Sequence, residues 1–347
     1  MALTTIVQGL IHWEWSLLMD DVSYNTWMPH VSDIFSAFMK EVRDYWTQGR
    51  FYPVKYLANL LKWKYLPSSP GLFHRFNFLL LLIGLSAGAL ALLRMSQVRQ
   101  QRLKWFLIFL GFALLQRPLL DIVALNSIAE GWVVLFFALG FLAFISDQGS
   151  YRIFFVFCAL SKEPGALALL GTAVAHGYSY FREETQEKKF LKAALIDGIL
   201  FLILGIVAIK AKGAGPYLAG YDPISSSAFR AFALGLVKCL VGIIPFMFLT
   251  LVYFKKDQLK EVLVDLKSMR GFILLGVFSF GYLFLVSGRN SSGYLLAPVA
   301  LGLYLKAISL LPRLVGVLGE ASPHQKLIQI TFSVFFSWMP WLIVVSL

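Results

Sequence analysis

Residues 73–93 read FHRFNFLLLLIGLSAGALALL, where a polar start at His74, Arg75 and Asn77 gives way to an apolar run that carries no charge as far as Leu93. A stretch of about 18 or more mostly apolar residues is long enough to read as a membrane-crossing helix. Residues 190–209, FLKAALIDGILFLILGIVAI, repeat the pattern. Working outward, further apolar runs fall at 3–19, 103–120, 131–146, 229–254, 271–287, 292–310 and 327–347, with a closely spaced pair at 151–161 and 164–178. The expected fold class is all-α: a polytopic membrane protein of about eleven transmembrane helices.

Composition agrees. Of 347 residues 58% are hydrophobic and 14% charged, with a mean hydropathy of +0.71. Soluble domains are about one quarter charged. A disordered chain, a nucleic-acid-binding arm and an ordinary cytosolic enzyme are therefore excluded. The net charge of +12 is what basic loops on the inner side of a membrane produce, so nucleic acid is not an expected partner. Cys158 and Cys239 fall inside apolar runs and read as small buried hydrophobes.

The pair at 151–178 sets the orientation. Split at Ser161-Lys162-Glu163-Pro164 into two short legs, it leaves its charged tip near the outer side, and Pro164 suits the first turn of the second leg. One face then gathers Arg94, Arg99, Arg102 and Lys104, then Arg182, Lys188, Lys189 and Lys192, then Lys255, Lys256, Lys260, Lys267 and Arg270. Those loops are expected in the cytoplasm. Residues 20–72 become a long external loop with two amphipathic interfacial helices. The first is expected from an N-cap at Ser32, with Ile34, Phe35, Phe38, Met39, Val42, Tyr45 and Trp46 on its apolar face. The second opens at Pro53, after a terminator at Gly49, with Val54, Leu57, Leu60 and Leu61 as its stripe between Lys55, Lys62 and Lys64.

Ionisable groups within a bilayer cost about 2.5–3.5 kcal/mol each even on lenient scales, so those near the spans are the functional candidates. Asp20 and Asp21 sit together where the first span reaches the outer surface. Arg117 and Asp121 end the third span and Glu130 opens the fourth. Lys162 and Glu163 tip the hairpin, and Arg289 follows the span ending near Ser287. All share one expected face. Paired carboxylates at a wet membrane edge deprotonate a hydroxyl or hold a divalent ion such as Mg or Mn, although a hydrophilic end to a span needs the same residues. Lys162 offers a point charge to a phosphate and Arg289 a bidentate grip, against the plainer roles of a turn ion pair and an interfacial snorkel. No HExxH, Walker or GxGxxG sequence is present.

Three stretches carry a resemblance. The first span ending in Asp20-Asp21 is followed by an external loop with Gly49-Arg50-Phe51-Tyr52-Pro53. Residues 126–142 read NSIAEGWVVLFFALGFL, a short turn and then a span with an early Glu. The hairpin tip reads Ala159-Leu160-Ser161-Lys162-Glu163-Pro164. In this order they resemble the GT-C integral membrane glycosyltransferases, in particular the bacterial O-antigen glucosyltransferase type, over roughly residues 10–210. The resemblance implies a GT-C-like module at 1–210, including the external loop 20–72, followed by variable C-terminal helices at 211–347. It implies a polyprenyl-phosphate-linked sugar donor and a glycan, lipid or protein acceptor on the outer face of a bacterial cytoplasmic membrane. Asp20 or Asp21 would be general base or metal ligand. Arg289, Lys162 and Arg50 would hold the donor phosphate, supported by Glu163, Glu130 and Arg117. A transporter or flippase for lipid-linked glycans, or a non-catalytic membrane subunit, is the alternative; a transporter would line a path through the midplane with charge.

Overall fold

The computed structural model describes residues 31–66, 70–95, 102–113, 119, 122–123, 129–182, 188–213, 230, 232–236, 266–286 and 297–308. Among them every regular element is helical: α1 (Ile34–Thr47), α2 (Pro53–Tyr65), α3 (Pro70–Met95), α4 (Arg102–Ala113), α5 (Glu130–Ile145), α6 (Tyr151–Ser161), a 3-10 turn (Glu163–Ala166), α7 (Leu167–Arg182), α8 (Lys188–Gly213), α9 (Leu266–Val286) and α10 (Ala297–Ile308). Two helices, over Leu72–Met95 and Lys188–Ala211, are long and apolar enough to cross a membrane, and three shorter apolar helices lie at Glu130–Ile145, Tyr151–Ser161 and Met269–Leu285. The apolar runs expected at 3–19 and 327–347, and most of that at 229–254, lie outside the described residues.

The core is built on α5. This helix packs along α3 and α6, while α7 packs between α8 and α9, and α10 closes on α9 and α5. Phe137 of α5 stacks on Phe278 of α9 with ring centroids 3.7 Å apart, and also faces Phe155 of α6. All three rings are fully buried, and such large apolar side chains supply most of the packing energy of a helical layer. By contrast α8 leaves Leu195, Ile199, Leu202, Ile203, Ile206 and Ile209 exposed, a row of large aliphatic side chains that water would not favour.

The two short helices of the expected external loop are present, with corrected faces. The N-cap of α1 is Asp33 rather than Ser32, because its carboxylate accepts from the Phe35 and Ser36 amides and from the Ser36 hydroxyl. Ile34 and Phe38 pack inward, but Phe35 and Met39 are exposed and Glu41 is buried. Gly49 closes the segment with φ at 83°, in the left-handed region that suits glycine. Pro53 opens α2 as expected. Its buried face is Lys55, Tyr56, Asn59, Leu60, Lys62 and Trp63, whereas Leu57 and Leu61 are exposed. Aromatic bulk decides this rotation: Trp63 lies 4.0 Å from Phe73, Lys62 sits over that same ring and Lys55 over Tyr45. The buried lysine stems cover apolar surface while their ammonium groups meet ring faces. Lys64 stays exposed and donates to the Val31 carbonyl at 2.7 Å.

Contacts between the helices define two ends of the bundle. At one, Arg94 closing α3 donates to Ser146 after α5, and Arg270 of α9 reaches Asp147 at 3.3 Å. At the other, His74 near the start of α3 donates through Nδ1 to the Val123 carbonyl at 2.8 Å, beside Glu130 opening α5. The turn from α6 to α7 reaches this second end.

Candidate functional site

The tip at Ser161-Lys162-Glu163-Pro164 lies within the helix bundle. At 11 residues, α6 is about 16 Å long, roughly half of a hydrocarbon core. The turn that follows is enclosed by α7, α8 and α9, with α2 against α6, and Pro164, Gly165 and Ala166 are all buried. Gly165 permits this, since a methyl group there would collide with the Cys158 carbonyl at the end of α6. Cys158 is a buried free thiol.

Lys162 has extended backbone, φ −162° and ψ 136°. Its ammonium pairs with Glu130 at the first position of α5, and the two side chains are 10% and 2% exposed. Lys162 and Glu163 therefore do not form the local ion pair their adjacency suggests. An acid at the start of a helix also meets the favourable end of its dipole. Glu163 is half-buried, and its Oε1 is enclosed without a hydrogen-bond partner.

Two tyrosines join this group. Tyr56 of α2 is fully buried, stacks on Tyr45 at 4.6 Å, and lies in the field of both Glu163 and Arg50. Burial pushes its hydroxyl well above the ordinary phenol range, so it stands as a neutral donor. Tyr282 of α9, also fully buried, feels Glu130 and Glu163 together. Neither hydroxyl has a hydrogen-bond partner. The structure thus brings Glu130, Lys162, Glu163 and Arg50 to one end, around Tyr56 and Tyr282. Asp20, Asp21, Arg117, Asp121 and Arg289 lie outside the described residues.

A small cleft of about 10 Å³, room for about one water molecule, lies beside Glu163 and is partly open to the surroundings. Phe51, Ala159, Leu160, Ala166, Leu204, Val207 and Ala208 form the rest of its lining. Its walls are apolar, and Glu163 is the charged group in them.

A second polar cluster escaped the sequence reading. Asp197 of α8, fully buried, accepts from the Tyr151 hydroxyl at 2.7 Å and from Arg152 Nε at 2.6 Å. His176 Nε2 lies 3.1 Å from the same Tyr151 hydroxyl. The usable signal was a lone carboxylate inside the apolar run 190–209, which requires a partner from a neighbouring helix. Among the described residues no group of three or more His, Cys, Asp or Glu is arranged to hold a metal ion; the Asp20-Asp21 pair lies outside them.

No protein-family model, curated protein or solved structure matches the chain.

Proposed function

We propose that the chain is a polytopic membrane protein of about eleven spans that transfers a sugar from a polyprenyl-phosphate carrier to an acceptor hydroxyl at the outer face of the membrane. The observation that carries this reading is the gathering of Glu130, Lys162, Glu163 and Arg50 at one end of the bundle. In the proposed step the acceptor oxygen attacks the anomeric carbon. Asp20 or Asp21 takes its proton, and the bond from that carbon to the phosphate oxygen breaks, so the electron pair leaves with the carrier phosphate. Cations stabilise the charge that builds on that oxygen. Lys162, Arg50 and Arg289 have this role, and Glu130 positions Lys162. A divalent ion held by Asp20 and Asp21 would instead polarise the phosphate.

The exposed aliphatic face of α8 supports the membrane setting, because such a face is stable against lipid. One observation favours the transporter alternative: Asp197, fully buried on the long apolar helix α8, is ion-paired with Arg152 near the start of α6. The deciding experiment is mass spectrometry of cellular glycans and lipid-linked sugars with wild type, Asp20→Asn, Asp21→Asn and Arg289→Ala, each at matched membrane abundance. A transferase loses one defined sugar from the acceptor and accumulates its charged donor. Unchanged glycans in all three variants would refute the reading, and a block in which Asp197→Asn alone abolishes the product would replace it with transport.

A further inference from the structure

The exposed face of α8 does not begin with an aliphatic residue. Lys188 and Lys192 open it, and Leu195, Ile199, Leu202 and Ile206 continue it at steps of three and four residues, so all six share one stripe of the helix. Every one of them is exposed. The opposite side of α8 holds Phe190, Asp197 and Ala211, which are buried. Only 11% of the apolar window of α8 is buried, against 50% of that in α3, so the stripe stands at the edge of the bundle.

The two lysines do not serve the helix itself, because a helix start favours acids over cations and no acid stands in the first turn of α8. Net charge does not select the place either, since Glu183, Glu184 and Glu187 immediately precede them in the sequence. The register does: it carries two ammonium groups onto the exposed face, directly above a run of leucine and isoleucine. From Lys192 to Leu202 the helix rises about 15 Å, half of a hydrocarbon core and so the depth of one leaflet. Beside the stripe the basic rim continues, with Lys189 and Arg270 over the Phe190 ring at 5.0 and 5.4 Å and Asp147 as the acid next to Arg270. This surface complements a ligand with an anionic head and an apolar tail. A free phosphate would leave the aliphatic run uncovered, and a zwitterionic headgroup would bring its own cation to the lysines.

We infer that this face of α8 binds an anionic phospholipid of the cytoplasmic leaflet, with its phosphate against Lys188 and Lys192 and an acyl chain along Leu195, Ile199 and Leu202. The inference rests on the membrane part of the reading above and not on sugar transfer, and no covalent step belongs to it. A lysine near the bilayer surface adds about fivefold to the affinity for anionic lipid, so the pair adds about thirtyfold.

The full chain in neutral maltoside micelles is titrated with dioleoyl phosphatidylglycerol. Dioleoyl phosphatidylcholine is the zwitterionic control, glycerol 3-phosphate is the headgroup without chains, and bound lipid is counted by native mass spectrometry. Phosphatidylglycerol binds wild type more tightly than phosphatidylcholine does, and the double variant Lys188→Gln with Lys192→Gln loses about thirtyfold. Lys40→Gln with Arg43→Gln removes the same charge from exposed positions on α1 and keeps the binding. The inference is overturned if phosphatidylcholine binds as tightly, if glycerol 3-phosphate displaces the lipid at equal concentration, or if the α8 double variant binds as wild type does. Should that variant not fold, Lys192→Gln alone decides, and an unchanged affinity overturns the assignment. The proposals fail separately. Spin labels at Ile199→Cys and Ile206→Cys that report lipid, together with phosphatidylglycerol binding indifferent to the lysines, sink the lipid site alone, whereas labels that report water sink the membrane setting with it. Unchanged glycans in the Asp20 and Asp21 variants sink only the transferase reading.

Discussion

The Glu130–Lys162 pair offers the most decisive test of how this end of the bundle is held. Lys162→Met leaves the Glu130 carboxylate, 2% exposed, without its counterion, and removing one partner of a buried ion pair costs about 3–5 kcal/mol. Glu130→Leu is expected at the lower end of that range, because the Lys162 side chain is 10% exposed and its long stem can carry the ammonium toward water. The double variant, Glu130→Leu with Lys162→Met, removes both charges and keeps the apolar volume, so its stability returns to within about 1 kcal/mol of wild type. Equilibrium unfolding in mixed micelles, read by helical circular dichroism, gives all three values. If the double variant equals the sum of the singles to within about 0.5 kcal/mol, the two residues are not coupled and the site geometry is wrong. The same double variant separates architecture from chemistry: it is folded but lacks the Lys162 cation, so the glycan product is lost. A stable double variant with normal glycans would remove Lys162 from the donor site.

Three further outcomes follow from local geometry. Gly165→Ala drives a methyl into the Cys158 carbonyl and is expected to destabilise by about 1–3 kcal/mol in the same unfolding experiment, as overpacking does; unchanged stability would mean that the turn is looser than described. Hydrogen bonds from Ser36 and the Phe35 amide hold the Asp33 carboxyl below its usual 3.8, so the cap on α1 is fully present above that pH and fades as pH falls through the lower, folded value. Amide exchange at Phe35 and Ser36 should accelerate below about pH 3.8 in wild type but stay flat in Asp33→Asn, which caps without titrating. Spin labels at Ile199→Cys and Ile206→Cys on α8 should be quenched more by oxygen than by a water-soluble nickel chelate in nanodiscs; the reverse would place this face in water.

The helices were legible where length and apolar content suffice. The run 73–93 became α3, the split at 151–161 and 164–178 became α6, the 3-10 turn and α7, and Pro53 opened α2, because a proline at a first helical position and an apolar run each constrain the backbone locally. The faces of α1 and α2 were not legible. Period alone ranks Leu57 and Leu61 as core and lysines as surface, yet ring packing of Trp63 on Phe73 and Tyr56 on Tyr45 turned α2 and carried Lys55 and Lys62 inward. The partner of Lys162 was equally hidden, since Glu130 lies 32 residues away in sequence and only the antiparallel packing of α5 on α6 brings them together.

The separation of Lys162 from Glu163 follows from four residues of backbone. Lys162 is extended whereas Glu163 opens the 3-10 turn, so the two side chains leave the chain in different directions. Lys162 is extended because Pro164 disfavours continued helix just upstream and Gly165 lets the chain fold back tightly against α6. The cation is thereby aimed at α5 and the carboxylate at the groove beside α8. Had α6 continued one more turn, both side chains would lie on the helical surface and Glu130 would face a buried backbone with no ammonium to meet it. A sequence of one cation, one anion, one proline and one glycine thus places opposite charges on two walls of the same end of the bundle.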